Sequence, residues 1–283
     1  MAPAKNDVPR IGLIAGNGQF PIIFSQAVKD RGYSVVALAH LHETDPAIDS
    51  VADVVEWVKL GQLSRIINVF KEHNVVEAVL AGGITKERMF SKLRPDFRTL
   101  ALLAKMDTKL DDGLLRALAG ELEKEGIAVK SPDVFMPALL VEPGLLTRRR
   151  PTSAEARDVA FGWRIAKELG RLDIGQCVVV RDQVVLAVEA IEGTDKTIRR
   201  GGSLGREKVV VVKAAKPNQD LRFDKPAVGL QTIDTMAEVK AAVLVIEAHK
   251  TLIFDRQAMT KAADKAKIAI VALTDEAECL EPV

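Results

Sequence analysis

Short apolar blocks alternate with amphipathic stretches along the whole chain. Ile11 to Ala15 reads as a strand, and GNGQFP follows it. Phe20, Ile23, Phe24, Ala27 and Val28 then fall on one helical face, with Pro21 suited to the first turn. Gly32 ends that helix, and Ser34 to Ala39 makes a second strand. Val51 to Val58 predicts a third strand. Leu63, Ile66, Ile67 and Phe70 predict an amphipathic helix, and Val75 to Ala81 a fourth strand that runs into Gly82 and Gly83. Leu114, Leu115, Leu118 and Leu122 give another helical face behind Leu110–Gly113, and Ile127 to Lys130 a last strand. Strands alternating with helices define an α/β fold, here a Rossmann-like N-terminal domain over residues 1–132 with a parallel sheet and flanking helices.

FMPALLVEPGLL, Phe135 to Leu146, is apolar yet broken by Pro137, Pro143 and Gly144. It predicts an interdomain linker over 133–150, which either packs on both domains or meets an acyl chain or bilayer. Arg148, Arg149 and Arg150 close it, as a solvated run or a contact for anionic headgroups. A second, mixed α/β domain spans 151–283. It opens with a helix over Ala154–Gly170, and a hairpin follows from Gln176–Val180 and Val184–Ala190. A polar loop is expected over Glu192–Gly201. Helices are expected at Thr232–Ala242 and around Met259–Ala266, with strands at Leu244–Ala248, Leu252–Phe254 and Ile268–Leu273.

Composition narrows the function classes. The 283 residues suffice for two cores. A formal net charge of +1 supplies no global field toward nucleic acid. With 4% aromatic residues, the composition also argues against a base-stacking platform for single-stranded nucleic acid. Cys177 and Cys279 form no CxxC or Cys/His cluster, so neither structural zinc nor a disulfide framework is expected. The start lacks a signal peptide's apolar core, and no apolar run approaches the ~20 residues of a membrane span.

The candidate chemistry lies in the loops. KAAKPNQDLRFDKPAVG, Lys213 to Gly229, carries Lys213, Lys216, Asp220, Arg222, Asp224 and Lys225. Pro217, Pro226 and Gly229 keep it irregular. It is either a solvated connection or a site where cations hold phosphate oxygens and carboxylates hold a hard ion or a water. Gly16, Asn17, Gly18 and Gln19 either contact a phosphate or sugar or serve only as a tight turn. Pro21 occupies the third position of GxGxxG, and no acid stands at the end of the second strand, which counts against nicotinamide binding. Lys86 and Arg88 flank the second glycine turn. Of Asp111 and Asp112, one caps a helix and the other is free to face a cleft. A serine elbow, a P-loop and a zincin pattern are all missing. Carboxylates and cations on glycine-bounded loops fit phosphoryl transfer to water with Mg²⁺ or Mn²⁺. A nicotinamide-dependent oxidoreductase and a non-catalytic nucleotide-sugar-lipid binding protein are the alternatives.

IGLIAGNGQFP, LDDGLLRAL, DIGQCVVV, VLAVEAIEGTDKTIRRGG and VKAAKPNQDLRFDKPAVGLQT together resemble the LpxI family, the UDP-2,3-diacylglucosamine pyrophosphatases of lipid A biosynthesis. The one mild departure is Asn17, where the family has glycine. The resemblance implies a Mg²⁺-dependent cytoplasmic enzyme, peripheral at the inner membrane. It would split UDP-2,3-diacylglucosamine into UMP and 2,3-diacylglucosamine 1-phosphate (lipid X), held between the domains. It implies Asp224, Asp220 and Lys213 as catalytic residues, with Asp224, Asp195 and Asp220 as metal ligands. Substrate contacts fall to Gly16, Asn17, Gly18, Gln19, Gly82, Gly83, Asp112, Thr194, Asp195, Arg199, Arg222 and Gly229. Assembly is left open, a symmetric homodimer being common for such enzymes.

Overall fold

A computed structural model describes residues 8–84, 93–104, 111–217, 219–222 and 225–275, without the side chains of 111 and 112. Lys86, Arg88, Asp224 and Cys279 therefore lie outside the described residues. The chain divides into two compact units. One runs to Pro137 and takes in the short segment that begins at Asp220; the other comprises Ala138–Gln219 and the chain from Lys225 onward.

In the first unit, β1 (Arg10–Ala15), β2 (Ser34–His40), β3 (Val54–Val58), β4 (Glu77–Ala81) and β5 (Ala128–Lys130) form one parallel sheet in the order β3-β2-β1-β4-β5. The pleat sorts β1. Ile11, Leu13 and Ala15 pack with Phe24, Val28 and Phe135 on one face, while Ile14 packs with Ile66, Phe70 and Leu122 on the other. The helices over these faces are α1 (Phe20–Asp30), α2 (Ile48–Val51), α3 (Leu63–Glu72), α4 (Phe97–Ala104), α5 (Asp111–Lys124) and α6 (Pro132–Phe135). β3 begins at Val54, later than its apolar pattern suggests. Ile48–Val51 closes a helical turn instead, and the Asp53 carboxylate accepts the Val35 N–H at 2.8 Å. The α4 helix was not legible as a separate element, being short and broadly apolar.

The second unit holds β6 (Gly144–Leu145), β7 (Cys177–Arg181), β8 (Val184–Val188), β9 (Val210–Lys213), β11 (Val243–Glu247) and β13 (Ala269–Leu273), in the order β6-β13-β11-β9-β7-β8. β10 (Ala227–Val228) and β12 (Leu252–Ile253) pair separately, in parallel. β9, β11 and β13 run parallel; β6, β7 and β8 join antiparallel. Val209 and Val211 enter one core with Ile198 and Met236; Val210 and Val212 enter the other with Val159 and Ala166. The helices are α7 (Ser153–Arg171), α8 (Thr194–Gly205), α9 (Leu230–Glu238) and α10 (Arg256–Ala266). A capping box between Thr152 and Glu155 starts α7.

Two expectations change here. The polar stretch 192–201 is mostly helical, because Thr197, Ile198, Gly201 and Gly202 bury an unusual face of small residues in α8. An added Cβ at Gly201 would lie 2.5 Å from Val179, so glycines that look like loop signals are contact points. The segment 133–150 carries structure of its own, since Gly144 and Leu145 extend the second sheet opposite Ala272 and Val271.

The turns after β1 and β4 interlock. The Asn17 N–H donates to Gly83 O at 2.7 Å, and Gly16 N–H to Ala81 O at 2.8 Å. A Cβ on Gly16 would stand 2.2 Å from Gly83 O, and one on Gly82, at φ 84°, 2.3 Å from Asn17 O. Backbone is rigid at both points, so Gly16→Ala or Gly82→Ala should destabilise the first unit by about 1–3 kcal/mol. Urea unfolding followed by Trp57 fluorescence in a Trp163→Phe background measures this. Gly120→Ala, in α5 with open space around it, should be neutral or stabilising in the same assay.

Candidate active site

Parallel strands bring the turns after β1, β2 and β4 to one carboxyl edge, with the order reversing at β1. Gly16, Asn17, Gly18, Gln19, Gly82 and Gly83 meet there. The side chains of Asn17 and Gln19 reach carboxylates: Asn17 Nδ2 donates to Glu43 Oε2 at 3.0 Å, and Gln19 Nε2 to Asp45 Oδ2 at 3.2 Å. Acids thus do stand beside the glycine turn, three and five residues beyond the strand's end at His40. The strand reading missed them because Glu43 and Asp45 arrive on a turn. Their negative charge makes this edge a better cradle for hydroxyls or an amine than for a bare phosphate.

His40 closes the edge from beneath. Its Nδ1 lies 2.9 Å from Ala15 O, and Thr44 Oγ1 donates to the same oxygen at 2.6 Å. Burial lowers the His40 pKa, the backbone contact and Glu43 opposing in part. The segment rejoining the first unit carries Asp220 and Arg222. Arg222 grips both Asp220 oxygens, and its Nη1 donates to Glu123 Oε1 at 2.6 Å. That grip holds the Asp220 pKa below the ordinary carboxylate value, against burial. Ser131 Oγ donates to Leu221 O at 3.0 Å. Asp220 and Arg222 thus engage each other.

In the second unit, Lys213 ends β9 and is 7% exposed. Its ammonium donates to Ala227 O at 2.8 Å. Among the described residues no carboxylate pairs with it, so donors remain for an anion. Glu189 lies nearby and is 8% exposed. Its Oε1 accepts from Thr194 Oγ1 at 3.0 Å, while Oε2 has no hydrogen-bond partner among the described residues. Asp195 opens α8 and accepts from Gln231 at 2.7 Å. Burial, with the nearby charges of Glu189 and Asp195, pushes the Cys177 thiol far up, Lys213 opposing, so that cysteine is inert. Glu189 is the residue sequence reasoning passed over. It closes an apolar run, and the signal that could have found it is a lone carboxylate at a strand's end, ahead of Gly193–Asp195.

Arg199 sits elsewhere on α8, bound to Glu238 at 2.7 Å and to Thr235. Gly229 caps α9 in extended backbone. The Asp112 side chain lies outside the described residues. Among the described residues no three His, Cys, Asp or Glu side chains gather as a metal set. Glu247, 1% exposed, anchors the start of the 213–229 loop. Its Oε2 accepts Ala215 N–H at 2.8 Å, and Oε1 takes Lys167 at 2.9 Å and Lys250 at 2.6 Å. Burial opposes the charge of Lys167, but Asp275 and Glu247 outweigh it and raise its pKa.

Glycine turns on the parallel edge of the first unit, and in the second a buried lysine near carboxylates that suits an anionic group, define a two-unit α/β protein. The models of the LpxI N-terminal and C-terminal domains match residues 10–139 and 142–271. The UDP-2,3-diacylglucosamine pyrophosphatase LpxI of Caulobacter vibrioides is 34% identical over 268 residues, 90% of this chain and 94% of that protein. The chain belongs to the LpxI family. Among solved structures, the ADP complex of N5-carboxyaminoimidazole ribonucleotide synthetase shares 16% identity at a TM-score of 0.29, over 61% of this chain and 32% of that one. The biotin carboxylase subunit of pyruvate carboxylase shares 17% at 0.27, over 65% and 38%. The chain spans about a third of each of these structures, and no structural conclusion follows from such weak likeness.

The His40 environment yields a pH test. Its folded pKa is lowered from 6.5, so the unfolded chain takes up a proton that the native state refuses. This contribution is complete above pH 6.5 and is lost as pH falls toward the folded pKa, by up to ~1.4 kcal/mol per unit. Urea unfolding at pH 7.5 and 5.5 should show that loss in the wild type, and a smaller one in His40→Asn.

Proposed function

We propose that this chain hydrolyses the pyrophosphate bond of UDP-2,3-diacylglucosamine, releasing UMP and 2,3-diacylglucosamine 1-phosphate in lipid A biosynthesis. One observation carries the reading: 34% identity over 94% of a relative that is named for this reaction. The first unit is read as Rossmann-like, supported by its β3-β2-β1-β4-β5 parallel order.

Breaking a phosphoanhydride with water needs charge neutralisation and positioning more than a special nucleophile. Lys213 suits the first task, as a buried ammonium with donors to offer. Glu189 accepts from Thr194, the neighbour of Asp195, and Glu189 Oε2, without a partner among the described residues, fits a hard divalent cation. These two, with Asp224, would hold Mg²⁺ or Mn²⁺, which when bound would withdraw charge from the diphosphate oxygens. Asp220, held in an arginine grip, is less free for that role. Asp224 is assigned as ligand or water-orienting base.

A membrane-peripheral setting goes with this substrate. Among the described residues no helix is long and apolar enough to cross a membrane. A groove lined by Arg148, Lys261, Lys265 and Lys267 supports contact with anionic headgroups. Arg149 also lines that groove, its charge offset by Glu155 through two bonds, as Arg148's is in part by Asp264.

UMP release from UDP-2,3-diacylglucosamine should require Mg²⁺ and stop with EDTA. Asp224→Ala should abolish turnover while substrate still binds; near-normal turnover would overturn the assignment. Lys213→Met should lower kcat by roughly 10²–10³-fold, the usual cost of losing one donor to a developing anion.

A further inference from the structure

Lys213 closes β9, and the ladder between β9 and β11 ends at its pairing with Ile246. One residue on, Ala214 N–H still finds a backbone acceptor, Gln176 O at 3.0 Å. Ala215 is 2% exposed, and its N–H is met instead by a side chain, Glu247 Oε2, at 2.8 Å. A buried N–H without an acceptor is costly, so this carboxylate takes over from the strand carbonyl that the ladder no longer supplies.

A neutral side chain could accept one N–H without burying a charge. The acid here is held by cations from two further places. Lys167 of α7 donates to Oε1 at 2.9 Å, its ammonium 5.3 Å from the Trp163 ring centroid and 2.9 Å from Asp275. Lys250, in the turn after β11, reaches the same oxygen at 2.6 Å. Charge-assisted bonds are shorter and about twice as strong as neutral ones. Three donors on one carboxylate thus tie α7, β11 and the end of β9 together, two residues past Lys213. The α7 helix also presses on the next residue: a Cβ on Gly170 would lie 3.1 Å from the Lys216 Cα.

Lys213 and Glu247 lie on opposite faces of the sheet. Alternation along β9 puts Lys213 on the side of Val209 and Val211, whose core includes Ile198 of α8. Along β11 it puts Glu247 on the side of Val243 and Val245, whose core includes Val159 and Ala166 of α7. At 1% exposure and with both oxygens engaged, Glu247 has no route to an anion beside Lys213. Its influence on Lys213 passes through the backbone between Ala215 and Lys213.

We propose that Glu247 is a positioning residue for pyrophosphate hydrolysis. By holding the Ala215 N–H it fixes the end of β9, and with it the place of the Lys213 ammonium. The proposal rests on the hydrolase reading above and adds a residue that acts without touching substrate. Misplacing a charge-stabilising group by about 1 Å can cost about 10²-fold in rate.

Kinetics give the first test. Glu247→Val should lower kcat by roughly 10–100-fold with KM within about threefold, because the weakened interaction belongs to the transition state. In a Lys213→Met background the same substitution should cost less than about threefold, since no ammonium is left to misplace. Equal losses in both backgrounds, or an unchanged kcat, overturn the proposal. The second test uses lysine labelled with ¹³C at Cε. The Lys213 signal, identified by its absence from Lys213→Met, should move in folded Glu247→Val; a merely structural role would leave it in place. Should Glu247→Val not fold, Glu247→Gln keeps the side chain's size and carries both tests, with a loss of about fivefold from the missing charge. A wild type that releases no UMP sinks the hydrolase reading, while a moved Lys213 signal still leaves Glu247 as the residue that places Lys213. UMP release with an unmoved signal does the reverse.

Discussion

The first unit depends on how closely two stretches of bare backbone can approach. Gly16 and Gly82 sit where any side chain would strike the opposing carbonyl, and the resulting hydrogen bonds lock the ends of β1 and β4 together. That lock holds the two turns together beside Asn17 and Gln19, whose side chains reach Glu43 and Asp45. A glycine read as a ligand contact thus turns out to serve the scaffold first. Any ligand meets an edge already shaped by it.

The second unit relies on a different device. Glu247 is nearly inaccessible and ties two lysines and a backbone N–H together at the end of β11. A buried carboxylate costs least when its oxygens are occupied. Its partners fix the start of the 213–229 loop, while Lys213 and Glu189 remain only partly satisfied. In one unit, one acid supports the structure and another is left with capacity for chemistry.

Much of this was legible in the chain. An unbroken valine run announced β7, and the apolar faces announced α3 and α5, because burial on one or both sides writes a strong pattern. Polar-looking α8 was hidden: its buried face is built from Thr197, Gly201 and Gly202, which carry no hydrophobic signal. The lysine at Lys213 and the acids of its loop could be nominated by residue type alone. The pairing of Asp220 with Arg222, the attachment of Arg199 to Glu238 and the isolation of Glu189 Oε2 could not, since they depend on contacts between residues distant along the chain or on directions a side chain takes only in the folded state.

The first unit is not contiguous. It closes with the segment that begins at Asp220, some eighty residues after its main body ends at Pro137. During ribosomal synthesis, Glu123 and Ser131 emerge long before Arg222 and Leu221 can meet them. Vectorial folding of an N-terminal body is the ordinary sequence of events. Here that body stays unfinished until most of the second unit has been made, so nascent chains stalled before residue 220 should lack one of its seams.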